Sequence, residues 1–171
     1  MTSVAIRCGQ IEDAVASFWL FRQVVSEERF FAVSLEEMSR TIATQEALFC
    51  RLNTKINSGV WVAFMDEDLV GQISVLGGSL MRTHHIGEVE MFVHPQVRGQ
   101  GIGSELLVHA LSWCTNNEHL QKIELSVMAD NRRAIALYNR HGFVQEGCQR
   151  SAFIDLDKKE RDKILMGRFV R

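Results

Sequence analysis

The chain has 171 residues, 46% apolar and 23% charged, with a formal net charge of −2. That is the profile of one globular domain over residues 1–171, large enough to bury a substantial core. The near balance of charge argues against a nucleic acid or an anionic membrane as partner.

No apolar run approaches the roughly 18 residues that a membrane span needs. The N-terminal Met-Thr-Ser-Val-Ala-Ile-Arg lacks a basic, apolar leader pattern, so a cytoplasmic location is expected. Cys8, Cys50, Cys114 and Cys148 are scattered with no C-x-x-C. Reduced thiols are therefore expected, and no metal site.

Residues 4–8 suggest a first strand. Ile11, Ala14, Val15, Phe18, Phe21 and Val25 share a helical face. Ser26–Val33 breaks that pattern and reads as a loop. Ser34 followed by Glu37 is a capping-box signature, which predicts a second helix from Leu35 to about Asn53. Val60–Met65 and Leu69–Leu76, joined by the polar turn at Asp66–Asp68, read as a hairpin. A strand follows over 86–93, and a helix runs from about Gly101 to Asn116. Residues 120–128 alternate like a half-buried strand. Asp130 and Asn131 offer an N-cap for a helix ending at Gly142. Two closing strands are expected over 143–154 and 163–170, joined by the charged tip Asp155–Asp162. The fold expected from this order is α+β, one domain on a mostly antiparallel sheet rather than a doubly wound one.

The informative stretch is the link between strand 86–93 and the next helix. It contains Pro95, the only proline, and then Gly99, Gly101 and Gly103. A strand, a glycine-rich turn and a helix N-terminus together present unpaired N–H groups and the positive end of the helix dipole, the physics of a phosphate site. Gly99-Gln100-Gly101-Ile102-Gly103-Ser104 departs from G-x-G-x-x-G at Ser104 and lies past mid-chain. The Gly-Lys-Ser/Thr end of a Walker loop is absent.

Arg98-x-x-Gly101-x-Gly103 resembles the R/Q-x-x-G-x-G/A motif of the GNAT-superfamily N-acetyltransferases. Met91-Phe92-Val93-His94-Pro95 looks like that family's fourth strand and its exit. Residues 131–143 resemble its second signature, N-x-x-A-x-x-L-Y-x-x-x-G-F. The resemblance covers residues 59–170. It implies a mixed, mostly antiparallel twisted sheet of about seven strands with helices on both faces. It also implies an acetyl-CoA-dependent transfer to a primary amine (a small amine, an amino acid or a protein N-terminus) by direct attack in a ternary complex.

By that resemblance the cofactor is held by Met91, Phe92 and Val93 along its pantetheine arm, by Arg98 and the N–H groups of residues 99–104 at its pyrophosphate, and by Asn131. Tyr138 falls where the family places a tyrosine near the thioester sulfur. The other readings of the same motifs are a CoA-binding module without turnover and an acceptor-sequestering protein. A homodimer is compatible with the family.

An alkyl amine with a pKa near ~10 must lose a proton before it can attack, and the thiolate that leaves must gain one. Tyr138, the only tyrosine, is the candidate acid. Ser126 stands where some members of the family carry a glutamate, so the candidate base is Glu90. Alternation puts Glu90 on the same strand face as Glu88 and Phe92. The acceptor is expected between the Ser26–Val33 loop and the 155–162 tip, with Glu28, Phe31 and Glu88 as candidate contacts beside Glu27 and Phe30. Arg132 and Arg133 could reach the cofactor's phosphates. His141 is expected to be exposed.

Overall fold

Seven strands form one sheet in the order β1-β2-β3-β4-β5-β7-β6. The strands are β1 (Val4–Cys8), β2 (Gly59–Met65), β3 (Asp68–Gly77), β4 (Ile86–Val93), β5 (Lys122–Met128), β6 (Val144–Ile154) and β7 (Glu160–Phe169). The helices are α1 (Ala14–Val25), α2 (Ile42–Thr54), α3 (Ile102–Asn116) and α4 (Arg132–Arg140). This computed structural model describes residues 4–27, 30–31, 33–155 and 157–171. Every adjacent pair of strands is antiparallel except β4 and β5.

Strand alternation divides the core in two. Trp61, Ala63, Ile73, Val75 and Val89 face α3 and α4, packing on Leu106, Leu107, Ala110 and Tyr138. Val60, Val62 and Phe92 point the other way, onto Phe21, Val25, Phe49 and Leu52 of α1 and α2. Helices therefore cover both faces, each through one apolar stripe.

The second helix starts later than its capping box predicts. The Ser34 N–H and hydroxyl do bond Glu37 Oε2 (3.2 and 3.1 Å), but residues 35–37 form only a turn. The helix begins at Ile42, where Thr41 is the N-cap and accepts from the Thr44 N–H. Between the two caps, Arg40 lies 3.8 Å over the Phe21 ring and bonds Glu90. These tertiary contacts hold residue 40 off the helical path.

The one parallel pairing positions the site. β4 and β5 are in register only at Ile86–Lys122, Gly87–Ile123 and Glu88–Glu124. Beyond Glu88 the two strands part, although each continues to pair on its other side. The result is a gap in the middle of the sheet.

Candidate active site

The gap opens into a cleft of about 1400 Å³, lined by β4, the 97–104 loop, α4, and residues of α1, α2 and the loop after α1. Backbone phase decides what β4 offers it. Gly78 N–H donates to Ile86 O (2.9 Å), and His94 N–H donates to Val70 O (2.8 Å). The even-numbered residues of β4 thus turn their backbone groups to β3. Val89, Met91 and Val93 turn theirs toward the gap. In agreement, Val93 O accepts from Arg98 Nε at 3.0 Å, on the side away from β3. Phe92, expected to contact the cofactor, lines the cleft but is turned differently from its neighbours. Its backbone lies in the β3 ladder, and its side chain is buried against Phe21, ring centroids 5.3 Å apart.

At the end of the gap stands the N-terminus of α3. Gly99 and Gly101 both have φ +90°, a conformation glycine adopts without strain, and Gly101 is the N-cap. A Cβ on Gly101 would meet nothing within 4 Å, so that position borders open space. Among the described residues, the N–H groups of Gly99, Gly101, Ile102 and Gly103 have no acceptor. The Ser104 N–H, expected to join them, already donates to Gly101 O (2.8 Å). Gln100 is exposed, and its side chain lies outside the cleft lining.

Two motif side chains have intramolecular partners. The Arg98 guanidinium bonds Val93 O and pairs with Glu27 at 2.6 Å, so it ties the strand exit to the end of α1. Asn131 caps α4, its Oδ1 accepting from the Ala134 N–H at 3.2 Å, which leaves Nδ2 without a partner among the described residues. Positive charge at the turn comes instead from α4. Arg133 Nη2 lies 3.5 Å from where a Gly99 Cβ would stand, and Arg132 and Arg140 line the same side. His141 is not the exposed position expected. It lines the cleft and shares a 2.8 Å hydrogen bond with Ser104 Oγ, while burial and the nearby Arg140 and Arg168 lower its pKa.

Tyr138 is 7% exposed and packs edge-on to Phe143. Burial pushes its pKa up to about 12. The hydroxyl therefore keeps its proton across the physiological range, where it can give up a proton but not act as a base.

Glu90 lies across the gap, with both oxygens 3.3 Å from Arg40 Nη2. Glu88 is exposed and lines the mouth beside Ser126 and Lys163. Phe31 packs edge-on to Phe21 while lining the cleft. Glu28 lies outside the described residues. The 155–162 tip was expected at the acceptor pocket, but none of its described residues lines the cleft. Arg161 bonds Asp155 (2.6 Å) and Asp130 (3.0 Å), which ties the hairpin end to the turn before α4.

Residues 19–143 match the model of the acetyltransferase (GNAT) family. The chain belongs to that family. It is 31% identical over 86 residues to the L-amino acid N-acetyltransferase AaaT of Escherichia coli, covering 50% of this chain and 53% of that one. It is 33% identical over 99 residues to the peptidyl-lysine N-acetyltransferase YjaB of Salmonella typhimurium, covering 58% of each. The chain thus matches little more than half the length of these curated relatives.

Among solved structures, a GNAT-family acetyltransferase from Streptococcus pneumoniae superposes with a TM-score of 0.92 at 25% identity, over 99% of this chain and 100% of that one. A phosphinothricin acetyltransferase from Sinorhizobium meliloti, in complex with acetyl-CoA, gives 0.86 at 19% over 99% and 89%, which shows the shared fold. The splayed sheet at the glycine turn is therefore a GNAT cleft. Among the described residues there is no cluster of His, Cys, Asp or Glu that could hold a metal, and no helix is long and apolar enough to cross a membrane.

Proposed function

We propose that this GNAT protein is an N-acetyltransferase that takes its acetyl group from acetyl-CoA and delivers it to a primary amine within a ternary complex. The observation that carries the reading is the β4–β5 gap, which ends at unpaired N–H groups on the α3 N-terminus and runs past a neutral tyrosine. The residues present fit the cofactor. An extended polar arm matches the outward backbone groups of Met91 and Val93, and a diphosphate matches the N–H groups of Gly99, Gly101, Ile102 and Gly103. When bound, acetyl-CoA supplies an activated acyl thioester.

The chain's own residues divide the remaining work. Arg133 adds a cation beside the Gly99 turn, where the diphosphate would lie. Asn131 Nδ2 adds a neutral donor at the start of α4. Tyr138 holds a proton at its hydroxyl for the departing sulfur. Glu90 accepts the proton of the attacking amine, through a water molecule, from the opposite wall. The two apolar cores back the cleft from either side of the sheet, which strengthens each of these polar interactions.

The test is thiol release from acetyl-CoA over a panel of primary amines, with CoA affinity measured by calorimetry. Release dependent on an amine supports the reading. CoA binding without release for any amine would leave a binding module. No CoA binding would remove the cofactor assignment.

A further inference from the structure

The charge inventory of the acceptor end favours one class of amine. Three carboxylates are available there to attract a cationic acceptor, and two have arginine partners: Glu27 pairs with Arg98 at 2.6 Å, and Glu90 faces Arg40 at 3.3 Å. Glu88, at the mouth, is the third. The cations are less well matched. Arg40 Nη1 is sealed from solvent with no hydrogen-bond partner, and Arg51, which lines the same end, has none either among the described residues. The walls beside them are Val24, Phe31, Leu48, Leu52 and Leu76.

A buried guanidinium nitrogen without an acceptor costs more than a neutral donor does. The contacts to Glu90 are long for charge-assisted bonds, whose usual range is about 2.7–2.9 Å. The guanidinium carbon lies 3.8 Å over the Phe21 ring, so Arg40 is braced from that side while Nη1 keeps an unmet hydrogen-bonding demand.

Resting on the acetyltransferase reading, we propose that the acceptor carries a carboxylate as well as its amine: it is a free amino acid with an apolar side chain, and Arg40 receives the carboxylate. A planar guanidinium matches a carboxylate in a two-point contact. In an α-amino acid the amine lies two bonds from the carboxylate carbon. Docking the carboxylate on Arg40 therefore leaves the amine beside Glu90, which Arg40 already touches and which faces the gap. The apolar walls take the side chain. A polyamine would set its cations against Arg40 and Arg51, and a peptide N-terminus would present an amide where Arg40 needs an anion.

The experiment compares matched acceptors with the intact protein: L-leucine, L-leucinamide and isoamylamine, which is leucine without its carboxylate. At least a tenfold higher kcat/KM for leucine than for either partner is expected, carried mainly by KM. Arg40→Gln should compress that ratio at least tenfold. Its separate effect on Glu90 falls on all three acceptors alike, and Arg40→Lys should restore the preference in part. Equal kcat/KM for the three acceptors, or preference for isoamylamine or a polyamine, would overturn the carboxylate assignment and leave the acetyltransferase standing. Absence of thiol release from every amine would overturn both. The wild-type comparison needs no variant, so a misfolded Arg40→Gln would not protect the proposal.

Discussion

Glu88 of β4 stands directly opposite Glu124 of β5 in the last register pair before the two strands part. Like charges at this spacing oppose further pairing. Lys122 relieves Glu124 by bonding it at 2.7 Å, and also bonds Glu146 at 2.8 Å; Glu88 has no such partner among the described residues. Replacing Glu88 with Gln should stabilise the fold by roughly 0.5 kcal/mol, the size of a cross-strand charge term. Urea unfolding would show a raised midpoint at low ionic strength, with the gain shrinking as salt is added. A lower midpoint at low salt would refute repulsion at this pair.

Tyr138→Phe should reduce kcat by about 10²-fold, the lower end for loss of a general acid, with CoA affinity retained. The same residue sets a pH dependence of stability. The unfolded chain ionises its tyrosine near the ordinary 10.0, whereas burial pushes the folded phenol up to about 12. The neutral form is favoured on folding, so this contribution is full below the lower value and is lost as pH rises between the two. Chemical unfolding measured through that window should show a decline in wild type that is weaker in Tyr138→Phe.

Gly101→Glu should give a folded protein that no longer binds CoA. The new side chain meets open space in the free protein, yet it would place bulk and negative charge in the diphosphate position, from a backbone with φ +90° that costs a non-glycine residue about 1–3 kcal/mol. Circular dichroism and calorimetry separate the two effects. Unchanged CoA affinity in the folded variant would displace the assignment of the loop.

Arg133→Gln and Arg98→Gln should behave differently, although both remove an arginine near the turn. Arg133 faces the Gly99 turn, so its loss should weaken CoA about tenfold, the value of one charged contact of ~1.4 kcal/mol, and should leave S-acetylpantetheine, which lacks the diphosphate, unaffected. Arg98 bridges Val93 O and Glu27, so its loss should lower Tm and affect both donors alike. Equal effects of the two substitutions on the two donors would remove the distinction.

Much of the fold follows from short-range signals. Alternation places β4 at 86–93, and the apolar stripes place α1 and α3 to within a few residues, because one buried face per element leaves little freedom in register. The late start of α2 was not legible. The Ser34–Glu37 capping bonds form, yet Arg40 answers to Phe21 and Glu90, its partners from distant parts of the sequence. The parting of β4 and β5 is implied by the family resemblance but is not written in the alternation itself. Val89, Met91 and Val93 alternate with their neighbours as they would in a fully paired strand, and the partner strand shows the gap. At the site, Gly99, Gly101 and Gly103 form the turn into α3, and Asn131 and Tyr138 stand at and on α4. Asn131 makes the N-cap bond that its place before the helix predicts, but spacing could not convey that Arg98 is already bonded to Val93 O and Glu27, or that Arg40, part of no motif, faces Glu90.

The sheet separates two populations of side chains that answer to different demands. Residues proposed to hold the donor share a core with α3 and α4, and those proposed to shape the acceptor end share one with α1 and α2. Changes far apart with no common neighbours combine almost independently. Substitutions beneath α1 and α2 can therefore accumulate while the opposite side keeps its shape. A lineage built on this plan can exchange one amine for another and retain the same source of acetyl groups.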